Sequence, residues 1–403
     1  LRGGVRGSAA LAGVAEPPVR DHWLRVDILL RADSRRRATD EISASIMPVS
    51  ILDRHRGTLH DDVRESGQEG AQMRAAAETG TDEDIVHLAL PWLDCGAPAL
   101  RAETLERLAK SGHAFVSLTL ARDGTSMQEA MRAIGRARAM LRRSGGRCRL
   151  ATSVAQIREA RAEGALAVGF HFQGTEAVGR NLDLVDAYSA LGVRQMLLCD
   201  RRANAAGAGC DEPSDGGLTR FGRALVQRMN RAGVVVDVGH AGHRTARDAM
   251  EVSSKPVAFT HADPSEPFPH GRTIPAELAR ACAATGGVVG INGCGMSMAG
   301  NDPSAEALFR LVDTHVQTVG ARHVGLRLDW LHDLPAWLAV VQQRGNALRC
   351  PDDGEYRRMD ARFAPPEGVP RLAGRMRAAG YTEADVRAIL GGNWMRLLAE
   401  VWT

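Results

Sequence analysis

Gly233-Val234-Val235-Val236-Asp237-Val238-Gly239-His240 sets four valines in eight residues, brackets them with glycines and ends on a histidine. β-Branched side chains crowd a helix and suit a pleated strand. Seven more short apolar runs of this kind lie near 84–92, 113–120, 165–172, 193–199, 256–261, 286–292 and 322–328. Amphipathic stretches lie between them, among them 102–111, 127–143, 217–232 and 304–319. Strands alternating with helices predict a parallel sheet with crossover helices. Eight such units is the count of a (β/α)8 TIM barrel, not of an open doubly wound sheet. The pattern predicts an irregular connection over 351–370. A final helix is predicted over 382–400, opened by Thr382 with Glu383 and Asp385 in its first turn.

The barrel pattern occupies 81–403. Residues 1–80 read differently, with the arginine run Arg35-Arg36-Arg37, scattered Gly and Ser and no sustained period of 2 or 3.6. They are expected to form a disordered or poorly structured extension, or an over-long start with Met47 and Met73 as internal starts. Fifty-one Lys and Arg against 48 Asp and Glu leave a net charge of +3 on 403 residues, which gives no footprint for nucleic acid or an acidic membrane surface. No apolar stretch reaches transmembrane length and no signal peptide is evident. The seven cysteines are odd in number, widely spaced and form no Cys-x-x-Cys pair. Reduced thiols and a cytoplasmic location are therefore expected.

In a barrel the open mouth is built at the C-terminal ends of the strands. The run at 233–239 ends in His240, the run Pro256-Val257-Ala258-Phe259-Thr260 in His261, and the run His323-Val324-Gly325-Leu326-Arg327-Leu328 in Asp329. A single histidine at a strand end is more often a hydrogen-bonded core residue than a ligand. Two histidines and an aspartate at the same end are the usual donor types of a catalytic zinc that keeps a position open for water.

Longer stretches carry a family resemblance. Gly217-Leu218-Thr219-Arg220-Phe221-Gly222, Met229-Asn230-Arg231-Ala232-Gly233 and Val236-Asp237-Val238-Gly239-His240 follow one another in order. So do Arg272-Thr273-Ile274-Pro275, Gly286-Gly287-Val288-Val289-Gly290 and the closing Gly391-Gly392-Asn393-Trp394-Met395-Arg396. From about residue 84 to the end the chain resembles the membrane (renal-type) dipeptidases, peptidase family M19. The resemblance implies a zinc-dependent barrel that cleaves dipeptides, with two ions sharing a bridging glutamate. It implies that His240 and His261 hold one ion. Asp329 would hold the other and take a proton from the attacking water, and Arg272 would pair with the substrate carboxylate, a role for which a planar guanidinium is well shaped. It also implies self-association as a homodimer.

Three departures stand against the family pattern. Gln173 falls where the bridging glutamate is expected; an amide is neutral and a weak ligand, so the site is expected to hold one zinc rather than two. His171 and Glu176 lie close enough in sequence to compensate. The first strand should end in a His-x-Asp pair, and aligning it on Leu90-Pro91-Trp92 puts His87 at the histidine but Ala89 at the aspartate. Aligning it on Trp92 alone puts Cys95 at the histidine, beside Asp94. Asp200 takes the place of a substrate-contacting histidine, and an ionised carboxylate has no proton to give a developing oxyanion. Asp237 stays in place, to orient a ligand histidine or to bond backbone. The expected metal set is therefore His240, His261, Asp329, Gln173 and His87, with Asp329 and Asp200 as catalytic candidates and Arg272 on a small peptide-like substrate. The competing expectation is a barrel that has lost hydrolysis and binds a small molecule or a partner.

Overall fold

The computed structural model describes residues 85–90, 102–266, 272–295, 301–331, 335 and 362–402, with the side chains of 85–90, 102 and 103 outside that description. The chain divides into two compact units, Leu1–Gln68 and Glu69–Thr403, and every described residue belongs to the second. The expected extension over 1–80 and the turn holding Asp94 and Cys95 lie outside the described residues.

Eight parallel strands follow one another in chain order around the sheet. They are β1 (Ile85–Leu90), β2 (His113–Arg122), β4 (Leu166–Gln173), β5 (Val193–Leu197), β6 (Val235–Asp237), β7 (Val257–Phe259), β8 (Val288–Asn292) and β9 (Val324–Arg327). β9 returns beside β1, completing the (β/α)8 arrangement. Every strand predicted from the apolar runs is present. One strand was not predicted: β3 (Cys148–Leu150), which pairs with Leu166–Val168 of β4. Its place follows from strand lengths. β5 pairs with β4 only from Phe170 onward, and β3 satisfies the stretch of that edge which β5 leaves open.

Helices cross between the strands: α1 (Ala102–Lys110), α2 (Met127–Arg143), α3 (Val154–Ala162), α4 (Asp183–Ala190), α5 (Arg220–Arg231), α6 (His243–Val252), α7 (Ala276–Ala284) and α8 (Ala305–Val319). Their starts are written in the sequence. Ser126 accepts from the Glu129 backbone N–H while the Glu129 carboxylate accepts from Ser126, a reciprocal capping box. Ser153, Thr219 and Ser304 each cap one further helix through a side-chain oxygen.

Alternate residues of β4 face opposite ways. Leu166, Val168, Phe170 and Phe172 pack in the main apolar cluster with the helices. Ala167 lies in a second cluster with Phe115, Val235, Ala258, Val288 and Trp394. Gly169 stands over Phe115 and Ser117; a Cβ there would lie 2.5 Å from the Phe115 ring, so that ring needs a residue without one. Beyond this apolar layer the inward residues turn polar, beginning with Ser117, Thr119 and His171.

The predicted final helix is present as a continuous run that changes from α to π and back. After α9 (Val369–Ala378) come α10 (Glu383–Arg387), capped by Thr382, a π-turn over Ala388–Gly392, and α11 (Asn393–Val401). The closing motif is a clamp on the strand starts. Asn393 Nδ2 donates to the carbonyls of Ala321 and Val324 at 2.7 Å each, and Trp394 Nε1 donates to Leu326 at 3.0 Å. Arg396 donates to the carbonyls of Gly286 and Arg322. A Cβ on Gly325 would meet Trp394 Nε1 at 2.4 Å, so the bare backbone there admits the indole. The predicted irregular stretch 351–370 lies outside the description up to residue 361, and α9 begins within its last two residues.

Two outcomes follow from this core. Trp394 is fully buried, so Trp394→Ala is expected to cost about 3–5 kcal/mol in urea denaturation, and a cost near zero would show that the clamp is dispensable. His315 on α8 is buried, donates from Nε2 to the Ala262 carbonyl, and burial lowers its pKa from 6.5 to about 4. Below pH 6.5 the unfolded chain takes up the proton first, so stability drains away as pH falls from about 6.5 toward 4. In His315→Phe the stability lost between pH 7 and pH 5 should shrink by on the order of 1–2 kcal/mol, and an unchanged loss would contradict the buried neutral ring.

Candidate functional site

His240 follows β6 by three residues and His261 follows β7 by two, so neighbouring strands deliver both rings to one end of the barrel. Both are buried, their ring centroids are 4.3 Å apart, and the two Nε2 atoms face each other at 2.5 Å. Gly239 permits this approach, since a Cβ there would lie 2.7 Å from His261 Nδ1.

The groups behind each ring decide what the facing nitrogens carry. His240 Nδ1 lies 2.7 Å from Asp200 Oδ1. A carboxylate only accepts, so Nδ1 carries the hydrogen and Nε2 a lone pair. His261 Nδ1 lies 3.1 Å from Thr260 Oγ1, whose single hydrogen is donated to Asp237 Oδ2 at 2.6 Å. Nδ1 of His261 is therefore the donor, and its Nε2 also presents a lone pair. Burial holds both imidazoles well below their ordinary pKa; the positive charge of Arg272 adds to this at His240 and that of Arg327 at His261. Two neutral rings thus aim two lone pairs at one point, which favours an electron-pair acceptor there. This donor chemistry suits an ion of the zinc type, which takes neutral imidazole nitrogen.

Asp237 is itself held by Gln195 Nε2, the Thr260 hydroxyl and the backbone N–H groups of Gly239 and Thr260. Burial raises its pKa, and Arg327 and these donors oppose the rise. Asp200 has both oxygens occupied, one by His240 and the other by Arg122, whose Nε lies at 2.7 Å. Burial alone would raise its pKa, but Arg122 and His240 together hold it well below the usual carboxylate range. Asp200 thus stands behind His240 and does not face a substrate with a free oxygen.

Arg122 and Asp123, where β2 ends, were not singled out from sequence. Asp123 accepts from the backbone N–H groups of Asp200 and Glu176 and from Asn204 Nδ2, tying three loops together. Burial, and then the negative charge of Asp200, push it up to about 7. The signal was available: a polar Arg-Asp pair directly after the apolar run at 113–120.

The remaining candidates are placed as follows. His171 has both ring nitrogens occupied, Nδ1 by Ser117 and Nε2 by Thr119, each at 2.8 Å. Glu176 accepts from the Gly124 backbone at 2.6 Å. Gln173 is buried at the end of β4, in register with Arg122. His87 sits on β1 opposite Val116, and its side chain lies outside the description. Arg272 overlooks the same region, since its charge reaches His240, His261 and Arg327. Asp329 follows β9 with a positive φ of 49°, a strained backbone for a non-glycine residue and one that clusters at functional sites. Its Oδ1 is buried without a hydrogen bond, 3.8 Å from Arg327. Among the described residues no group of three or more His, Cys, Asp or Glu side chains is gathered to hold an ion, so Asp329 does not join the two imidazoles in one cluster.

Comparison with known proteins bears on the family and the fold. A protein of the pqqA 5′ region of Klebsiella pneumoniae is 27% identical over 277 residues, covering 65% of this chain and 92% of that protein. The dipeptidase aclJ of Aspergillus oryzae is 28% identical over 237 residues, covering 57% of this chain and 50% of its own length. An amidohydrolase structure from Pseudomonas aeruginosa superposes with a TM-score of 0.71 at 26% identity, covering 80% of this chain and 97% of that one. The model of the membrane dipeptidase family matches residues 91–339. With the strand order, the two strand-end histidines and a match over more than half its length, the chain belongs to the membrane dipeptidase family, peptidase family M19.

Proposed function

We propose that this protein hydrolyses a dipeptide or a related small amide, and that its site uses one zinc-type ion held by His240 and His261. The observation that supports the reading most directly is the pair of Nε2 lone pairs facing each other at 2.5 Å, each ring having its other nitrogen committed as a donor. A bound ion of this kind polarises a carbonyl oxygen and acidifies water.

The chain's own residues do the rest. Asp200 fixes the tautomer and tilt of His240, and Arg122 keeps Asp200 charged. Thr260 and Asp237 do the same for His261. Arg272 supplies a guanidinium for the carboxylate of a peptide end. Asp329 would accept the proton, a role supported by an Oδ1 that no donor engages. Membership of a dipeptidase family supports a peptide substrate, and among the described residues no helix is long and apolar enough to cross a membrane. Gln173 in place of a second carboxylate supports one ion rather than two. A homodimer and a cytoplasmic location belong to the same proposal.

Calorimetric titration of chelator-treated protein with zinc should give about one ion per chain, and His240→Ala or His261→Ala should abolish the heat. Wild-type protein that takes up no zinc and cleaves nothing in a dipeptide panel would overturn the reading. Asp200→Asn removes the charge behind His240 and nearly keeps the shape. It should weaken zinc by about 10–100-fold, with a loss of activity that saturating zinc partly restores.

A further inference from the structure

Arg327 is the last residue of β9 and is completely shielded from solvent. None of its three guanidinium nitrogens has a hydrogen-bond partner. A guanidinium offers five N–H donors, stays charged at any ordinary pH and is costly to bury bare. Its closest carboxylate oxygen, Asp329 Oδ1, is 3.8 Å from Nη1, beyond hydrogen-bond reach, and that oxygen also lacks a donor. The neighbours do not explain the residue. His171, which could have accepted, is closed off by Ser117 and Thr119. Asp237, within reach of its field, is already met by four donors.

The position is also specific. The charge of Arg327 bears on His171, Asp237, His261, Asp329 and Arg272, contributed by β4, β6, β7, β9 and the segment before α7. Val324, Leu326 and Leu328 pack in the main apolar cluster with the helices, so Arg327 faces the opposite, inner side of the barrel at the C-terminal end of its strand. A cation placed there without hydrogen-bond partners repels a second metal ion and attracts an anionic oxygen. A planar fork matches a carboxylate with two parallel hydrogen bonds.

We propose that Arg327 forms a carboxylate-binding subsite inside the barrel, separate from the proposed ion at His240 and His261, and that the natural ligand carries a carboxylate to this depth. The subsite adds an acidic group to the substrate beyond whatever Arg272 holds. It does not depend on the metal reading, so it is tested on metal-free protein.

The test follows thermal unfolding of the full chain, kept in chelator, against rising malonate with sodium chloride at matched ionic strength. Wild type should gain stability with a saturating dependence on malonate. Arg327→Met should melt several degrees above wild type without ligand, because a bare charge has been replaced by apolar volume, and should not respond to malonate. Arg327→Lys keeps the charge and loses the fork, so it should bind malonate about tenfold more weakly than wild type. His240→Ala, which removes the proposed ion site, should keep the malonate response and so separates the two proposals. A wild type that ignores malonate, an Arg327→Met that responds as wild type does, or an Arg327→Met that melts well below wild type would each overturn the subsite.

Discussion

Everything at the barrel mouth depends on two imidazoles meeting nitrogen to nitrogen. Both hydrogens are held on the far side of the rings, so the facing lone pairs repel each other unless an electron-pair acceptor lies between them. On one side Asp200 takes the hydrogen of His240; on the other a hydroxyl relays between His261 and Asp237. Each anchor draws on a further strand. Arg122 comes from β2 to Asp200, and Gln195 comes from β5 to Asp237. The short polar strand ends are thus fixed by one continuous network, and burial, aided by the positive charges of Arg272 and Arg327, keeps the rings neutral.

The base of the barrel makes this precision affordable. Its floor is filled by Phe115, Val235, Val288 and Trp394, and the strand starts are tied to α11 through Asn393, Trp394 and Arg396. Stability is thus concentrated at one end of the strands and polar chemistry at the other, the usual division of labour in this fold. Buried carboxylates such as Asp123, pushed up to about 7, are tolerated because each accepts several hydrogen bonds in a framework that cannot relax.

Much of this was legible in the sequence because β-branched runs and their punctuation are local signals. All eight barrel strands and the histidine pair could be read from runs ending in a polar residue. Three features were not legible, for physical reasons. β3 spans three residues, too few for any period to show. Arg122 and Asp123 act through Asp200, 77 or more residues away, so no spacing announces them. Arg327 was counted as part of a strand, where a long side chain is assumed to reach solvent; only the closed geometry shows that it points inward. Asp200, which the family pattern placed at a substrate contact, accepts from Arg122 and lies against His240, partners that no spacing announces.

The π-turn at Ala388–Gly392 sets the rotational phase of everything after it. Such a turn holds one residue more than a regular helical turn. Wound as regular α-helix, the same five residues would carry Asn393 and Trp394 about 100° further around the helix axis. The amide and the indole would then face away from the strand carbonyls they cap. The locally irregular turn therefore absorbs one extra residue and keeps the last helix in step with the first residues of β9.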